Sequence, residues 1–248
     1  MPPLSPPRRL LITVCTYNER ENLPLLIPEI LAQVPWANIL VIDDNSPDGT
    51  GQLADDLARQ DARIRVQHRR GKLGLGTAIL AGFREAIAQN YDFVLNMDAD
   101  FSHHPRHLPA LIGLMDACDV SIGSRYVPGG KAVGWSLKRH FMSRGINLYA
   151  RLLLGLRTRD NSGAYRCYRV AKLKELDLNL IRAKGYAFQE EILYRCRRIG
   201  CRLEETPIVF EDRRLGLSKI NYREVVTALW VIFLLGIDNL RGVSVRAT

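Results

Sequence analysis

The sequence predicts an α/β fold: a doubly wound sheet with helices on both faces. Short continuous apolar runs alternate with helical patterns through the first half. The runs are too uniformly apolar for strands with one solvated face, and most end in turn and capping residues. In order, Leu10–Cys15 is a first strand that runs into Thr16-Tyr17-Asn18-Glu19. A helical pattern over about 21–33 leads to a second strand, Ile39–Asp43, closed by Asp44-Asn45-Ser46-Pro47-Asp48-Gly49. Another helix precedes the third strand, Ile64–His68. A glycine-rich turn then opens a helix over about 76–90, and Phe93–Met97 is the fourth strand. A helix starting near Pro105 separates it from a fifth, Val120–Gly123. The second half is less regular. Arg125–Ser136 has the glycine content of a loop able to act as a lid, and Ile208–Phe210 is a short strand before a basic stretch.

In open α/β sheets, ligands bind beyond the carboxyl ends of the strands, where the strand order reverses. With the order 3-2-1-4, strands one and four are neighbours at that reversal. Their tails, Thr16-Tyr17-Asn18-Glu19 and Asp98-Ala99-Asp100, are the most chemically loaded residues of the half.

The 248 residues are 47% hydrophobic and 25% charged, which excludes a disordered, collagenous or coiled-coil chain. Five irregularly spaced cysteines with no zinc-type pair suggest reduced thiols and a cytosolic setting. Residues 1–9 read as a short disordered leader and not a signal peptide. The net charge of +9 is unevenly held: residues 1–124 carry 11 Lys+Arg against 15 Asp+Glu, residues 125–248 carry 24 against 11. A basic second half suggests an anionic partner or an ordinary solvated basic face. Since no nucleic-acid module is present, nucleic acid is not expected as a partner.

Asp98 and Asp100, one residue apart at a strand end, are costly to bury unless they meet a cation. Hard oxygen ligands of this kind suit Mg²⁺ or Mn²⁺, which would in turn hold a diphosphate. The competing reading is a solvated loop with two acidic caps. Gly71-Lys72-Leu73-Gly74-Leu75-Gly76 fits neither common phosphate-loop pattern, and its glycines suggest close backbone packing at a helix start or contact with a nucleotide. His103, His104 and His107 are poorly spaced for one metal and suggest caps or an exposed loop. Arg213-Arg214-Leu215-Gly216-Leu217-Ser218-Lys219 could close cations over a polyphosphate, or be a basic linker.

Taken together, residues 16–23, 41–50, 73–78, 97–105, 123–126, 134–139, 162–166, 184–189 and 212–219 form an ordered series. It resembles the dolichol-phosphate (polyprenol-phosphate) mannose synthases, within the inverting family-two glycosyltransferases, from about residue 10 to 240. The resemblance implies a GT-A-type, Rossmann-like mixed sheet. It implies transfer of mannose from GDP-mannose to a dolichyl or other polyprenyl phosphate, with inversion, and a divalent metal, Mg²⁺ or Mn²⁺. Tyr17, Glu19, Ile42 and Asp44 would surround the base and ribose; Asp98, Ala99 and Asp100 would hold the diphosphate and its metal. Arg213 and Lys219 would clamp the diphosphate, while Arg125 and Arg139 would meet the acceptor phosphate. Cys15 stands where the family usually has proline, and Ser102 where some members have a metal-ligating glutamine. Alternatives are another donor such as UDP-glucose, a non-catalytic lipid-binding subunit, and a phosphatase using Asp98. The last is disfavoured because the pair follows the fourth strand and not the first.

On this reading residues 10–220 form the catalytic domain and 221–248 an apolar appendage. Val225–Ile237 is thirteen residues, about 20 Å as a helix and short of a membrane span. It is apolar on nearly every face, with Arg223, Asp238 and Arg241 around it. Burying one stripe would leave another exposed, so it is expected to lie in a membrane surface or dock on a small membrane-spanning subunit, against the alternative of a fully packed core helix. The enzyme is then peripheral, on the cytoplasmic side of a membrane.

Overall fold

The computed structural model describes residues 8–212 and 222–247. Nine strands are described: β1 (Leu10–Thr16), β2 (Asn38–Asp43), β3 (Ile64–His68), β4 (Phe93–Asp98), β5 (Val120–Ser124), β6 (Lys131–Val133), β7 (Arg166–Arg169), β8 (Leu203–Pro207) and β9 (Val209–Glu211). The helices are α1 (Leu23–Gln33), α2 (Thr50–Gln60), α3 (Leu75–Ala88), α4 (Leu108–Gly113), α5 (Leu137–Leu154), α6 (Val170–Leu173), α7 (Phe188–Arg198) and α8 (Tyr222–Arg241).

Seven strands make one sheet in the order β3-β2-β1-β4-β7-β5-β8, while β6 and β9 form a separate two-stranded ribbon. The expected 3-2-1-4 order holds, with β1 parallel to both β2 and β4. Strand β7 then enters antiparallel between β4 and β5, so the sheet is mixed. Its sequence, Arg-Cys-Tyr-Arg, lacks the apolar run that marks the other central strands. Alternate residues of β1 feed opposite faces: Leu10, Ile12 and Val14 join one core cluster, and Leu11 joins the other. Both faces are buried, which is why the strand reads as a continuous apolar run.

Two connections position the functional end. At the start of α3, Gly74 has φ +99°, and a Cβ there would stand 2.4 Å from the Lys184 carbonyl oxygen. Gly76 N–H donates to that same carbonyl at 2.9 Å. Gly74 and Gly76 therefore serve close packing against the segment before α7. In the second half, the expected lid is not a free loop: Lys131–Val133 pairs in parallel with β9, and Asp212 N–H donates to the Val133 carbonyl.

Helix α8 is 20 residues long. Ala228, Ile232 and Leu235 are buried in the core, whereas Val226, Leu229, Trp230 and Phe233 are exposed. It is thus half core and half surface. No helix among the described residues is long and apolar enough to cross a membrane.

Candidate active site

The carboxyl ends of β1, β2, β3 and β4 converge because their registers are level: Thr16 lies opposite Asp43, Asp43 opposite His68, and Cys15 opposite Asp98. Asp43 ties the first two strand tails together. Its carboxylate accepts from the Thr16 hydroxyl at 3.0 Å and from Ser46 N–H at 3.0 Å. Ser46 Oγ in turn accepts from Asn18 N–H, and Thr50 Oγ1 accepts from Glu19 N–H at 2.9 Å. Asn18 and Asn45 both take left-handed backbone, a conformation asparagine tolerates.

Of the residues expected around the nucleotide, Tyr17 is exposed, with Lys72 Nζ 4.5 Å from its ring centroid. Glu19 accepts from the Asn22 amide at 2.7 Å. Asp44 is buried beside Arg69, whose Nη1 lies 2.8 Å away. Burial raises the Asp44 carboxyl above its ordinary range, and the guanidinium only partly opposes that. Ile42 differs: its side chain is wholly buried, packed towards Gly82 of α3. Only its backbone is available to a nucleotide, because strand alternation turns its side chain to the core face.

The acidic pair sits at the end of β4. Asp98 is one-third exposed and Asp100 is buried. Ser102 donates to Asp100 Oδ1 through its hydroxyl, at 2.5 Å, and through its N–H, at 3.1 Å. Its hydroxyl hydrogen is thereby used to orient the carboxylate. Ala99 is buried in the core cluster beneath. Phe101 follows with φ +62°, strained backbone for a bulky residue and the kind of cost that persists at functional sites. Among the described residues, no group of three or more His, Cys, Asp and Glu could hold a metal. A divalent cation at the two aspartates would therefore complete its shell with diphosphate oxygens and water, a donor set that suits Mg²⁺ or Mn²⁺.

His103 is not in an exposed loop. It is buried, stacked on Tyr165 with centroids 4.9 Å apart, and its Nδ1 accepts from Asp98 N–H at 3.0 Å. Burial holds its pKa below the usual histidine range despite the nearby aspartates. The ring is neutral, with its proton on Nε2. His104 does act as a cap, accepting from Arg106 N–H, and His107 Nε2 accepts from Val209 N–H at 3.2 Å.

A cationic cluster adjoins this end of the sheet. Phe210 of β9 lies 5.7 Å from His103 and 5.4 Å from Trp135, centroid to centroid, and the Arg125 guanidinium is 5.5 Å from its ring. Arg139, in the first turn of α5, stacks 4.3 Å over Trp135 and pairs with Asp212 at 2.8 Å. Arg139 Nε and Trp135 Nε1 are buried donors with no hydrogen-bond partner among the described residues. Arg125 departs from the expectation of an open cation. It is buried, and its Nε and Nη2 grip Asp160 at 2.7 and 2.6 Å, while its backbone N–H adds a third bond to the same carboxylate. Burial pulls the Arg125 pKa down, but the charge and hydrogen bonds of Asp160, joined by Tyr126 and Glu190, leave it above its ordinary value, so the guanidinium stays charged. Burial alone would lift Asp160, yet Arg125 and its hydrogen bonds hold it below the ordinary carboxylate range. Arg213 and Lys219 lie outside the described residues.

Asp160 and Glu190 carry no local motif and were not expected in the site. The only sequence signal for Asp160 is a polar stretch, Arg-Asp-Asn-Ser-Gly, immediately before β7. Glu190 is fully enclosed in α7, its Oε2 has no hydrogen-bond partner among the described residues, and burial pushes its pKa to about 7 against the pull of Arg166. The folded chain then binds a proton at Glu190 that the unfolded chain releases, so stability falls as pH rises from about 4.5 to 7 and levels off above. Glu190→Gln should flatten that slope and raise stability at pH 8 by on the order of 2 kcal/mol. Urea midpoints across pH 5–8 test this; parallel pH profiles for the two proteins would contradict it.

A protein-family model described as Glycosyl transferase family 2 matches residues 11–177. Polyprenol monophosphomannose synthase of Mycolicibacterium smegmatis is 43% identical over 244 residues, covering 96% of this chain and 92% of that protein. Undecaprenyl-phosphate mannosyltransferase of Micrococcus luteus is 46% identical over 213 residues, covering 86% and 88%. Among solved structures, glucosyl-3-phosphoglycerate synthase of Mycobacterium tuberculosis, in complex with Mn²⁺, UDP and glucosyl-3-phosphoglycerate, shares the fold with a TM-score of 0.65. That match has 19% identity and covers 91% of this chain and 80% of that one.

Proposed function

Starting from a chain that belongs to glycosyl transferase family 2, we propose that it transfers mannose from GDP-mannose to a polyprenyl phosphate such as dolichyl phosphate, with inversion, giving polyprenyl phosphomannose and GDP. Mannosyl transfer to a polyprenyl phosphate agrees with the names of both relatives. The observation that carries the reading is the aromatic bridge at Phe210, which sets the Asp98/Asp100 strand end beside the Arg139–Trp135 cluster. One locus then offers an acidic pair for a metal diphosphate and cationic donors for a second phosphate.

On this proposal, Tyr17, Glu19, Asp44 and the Ile42 backbone receive the nucleoside. Asp98 and Asp100, with Ala99 between them, hold a divalent cation, Mg²⁺ or Mn²⁺, which when bound offsets charge on the departing GDP. Ser102 orients Asp100. Arg213 and Lys219 add cations on the donor side. Arg139 receives the acceptor phosphate, and its Nε–H and the Trp135 N–H are buried donors that a phosphate oxygen would satisfy. Arg125, already spent on Asp160, supports that side through its stacked guanidinium. A phosphate oxygen attacks C1 of the mannose as the bond from C1 to the β-phosphate oxygen breaks. The acceptor is already anionic at neutral pH, so no strong general base is needed, and catalysis is positioning and charge stabilisation.

The proposal also places the enzyme peripherally on the cytoplasmic side of a membrane, with residues 10–220 as catalytic domain and 221–248 as the membrane-facing appendage. The exposed Val226, Trp230 and Phe233 of α8 support a bilayer surface or a small membrane-spanning subunit as its contact. A screen of radiolabelled nucleotide sugars against a short polyprenyl phosphate tests the reading. Label should pass to the lipid from GDP-mannose; transfer from UDP-glucose instead, or from no donor, would refute it.

A further inference from the structure

The hydroxyl of Ser162 is gripped by two donors and gives its own proton to neither. Arg125 Nη2 and Asn147 Nδ2 each donate to Ser162 Oγ at 3.0 Å. A serine hydroxyl offers two lone pairs and one hydrogen. With both lone pairs engaged, the hydrogen points away from the two donors, and it meets no acceptor among the described residues. Ser162 is only half-buried, which leaves room for an incoming one.

The setting of this hydroxyl is fixed from two sides. Asn147 is buried on α5, where its Oδ1 accepts from Asn161 N–H at 2.5 Å and its Nδ2 also donates to the Ser143 carbonyl at 2.7 Å. Tyr126 Oη donates to Ser143 Oγ at 2.6 Å. Arg139, Ser143 and Asn147 follow one another at intervals of four residues, so they share one face of the helix. On the other side, Arg125 and Arg139 stack on a single ring, 5.1 and 4.3 Å from the Trp135 centroid. Nε and Nη2 of Arg125 are spent on Asp160 and Ser162, and Nη1 has no bond among the described residues. Ser162 therefore belongs to the same cationic locus as the two arginines.

Charge decides what the free hydrogen meets. A hydroxyl that accepts from a guanidinium is polarised by it and becomes a stronger donor. Its matching partner is an anion, and a phosphate monoester presents three terminal oxygens. The Trp135 N–H and Arg139 Nε–H suit one of them. We infer that Ser162 is a further binding residue for the acceptor, donating its hydroxyl proton to a second phosphate oxygen beside Arg125 Nη1. The third oxygen is then left to attack C1. The inference rests on the proposed function, and within it Asn147 is the positioning residue that aims the hydroxyl.

Kinetics with GDP-mannose and a water-soluble short-chain polyprenyl phosphate, beside calorimetry with GDP, test it. Ser162→Ala should raise the acceptor KM about tenfold while GDP affinity stays within about twofold, because the donor side is untouched. Ser162→Thr keeps the hydroxyl and should bring the acceptor KM back to within about threefold of wild type. Ser162→Asp separates donation from bracing. Its carboxylate still accepts from Arg125 and Asn147, so the unfolding midpoint should hold, yet it has no proton to give and repels a phosphate. The acceptor KM should rise further than in the alanine variant. A wild-type acceptor KM in Ser162→Asp would mean that the serine only braces its neighbours, and it overturns the inference. So does a wild-type acceptor KM in Ser162→Ala, or a loss of GDP affinity there as large as the loss on the acceptor side. Absence of mannosyl transfer by the wild-type protein refutes the proposed function, whereas normal transfer with an unchanged KM in Ser162→Ala refutes the role of Ser162 alone.

Discussion

Asp100→Ala should lower mannosyl transfer by about a thousandfold or more while leaving the fold in place. The carboxylate is oriented by Ser102, whose hydroxyl and N–H both donate to its Oδ1. A metal–carboxylate contact that stabilises charge on a leaving diphosphate contributes several kcal/mol in the transition state, and about 4 kcal/mol corresponds to three decades in rate. The fold should tolerate the loss because Ala99 and Phe101 on either side of Asp100 stay packed in the core cluster. Initial rates with radiolabelled donor, beside a thermal melt, provide the check. Activity within tenfold of wild type, or full wild-type activity in EDTA, would remove the metal from the mechanism.

The largest stability effect is expected at Asp160. It is wholly buried and accepts from Arg125 Nε, Arg125 Nη2, Arg125 N–H and Gly163 N–H. Asp160→Ala would strand a buried guanidinium among Tyr126, Trp135 and Phe210, at a cost of about 3–5 kcal/mol. Asp160→Asn should cost less, since it keeps the volume and one acceptor oxygen. Pairing Asp160→Leu with Arg125→Met should recover much of the loss, because removing both charges avoids the desolvation penalty that removing one exposes. Denaturant midpoints for the three proteins decide it. A loss below 1 kcal/mol in Asp160→Ala would mean that water or rearrangement reaches Arg125 and that the pair is not structurally required.

Part of the site was legible before the structure because it depends on local chemistry. A strand that is buried on both faces needs a continuous apolar run, and its end is announced by residues that cap and turn. Thr16–Glu19, Asp43–Gly49 and Asp98–Asp100 therefore declare themselves, and level strand registers bring them to one edge. Gly74 was likewise readable as a packing residue, since only a missing Cβ admits the Lys184 carbonyl.

The charged groups of the second half were readable as residue types but not as partners. Arg125 was legible as a cation and His103 as a loop residue, yet one is consumed by Asp160, 35 positions away, and the other is buried under the acidic pair. Strand β7 shows the same limit: its Arg166 and Arg169 hide a central strand, because both guanidiniums find carbonyl or carboxylate acceptors brought in by distant segments.

The sequence by itself determined the α/β alternation, the converging strand ends, the acidic pair and the two-faced apolar character of α8. Only the tertiary structure decided the antiparallel place of β7, the Arg125–Asp160 pair, the inward turn of Ile42 and the place of Ser162 between Arg125 and α5. The reason is range. Periodicity, capping and backbone freedom act over a few residues, where the order of side chains is the order in space. Burial and charge pairing act between surfaces that meet only once the chain has folded.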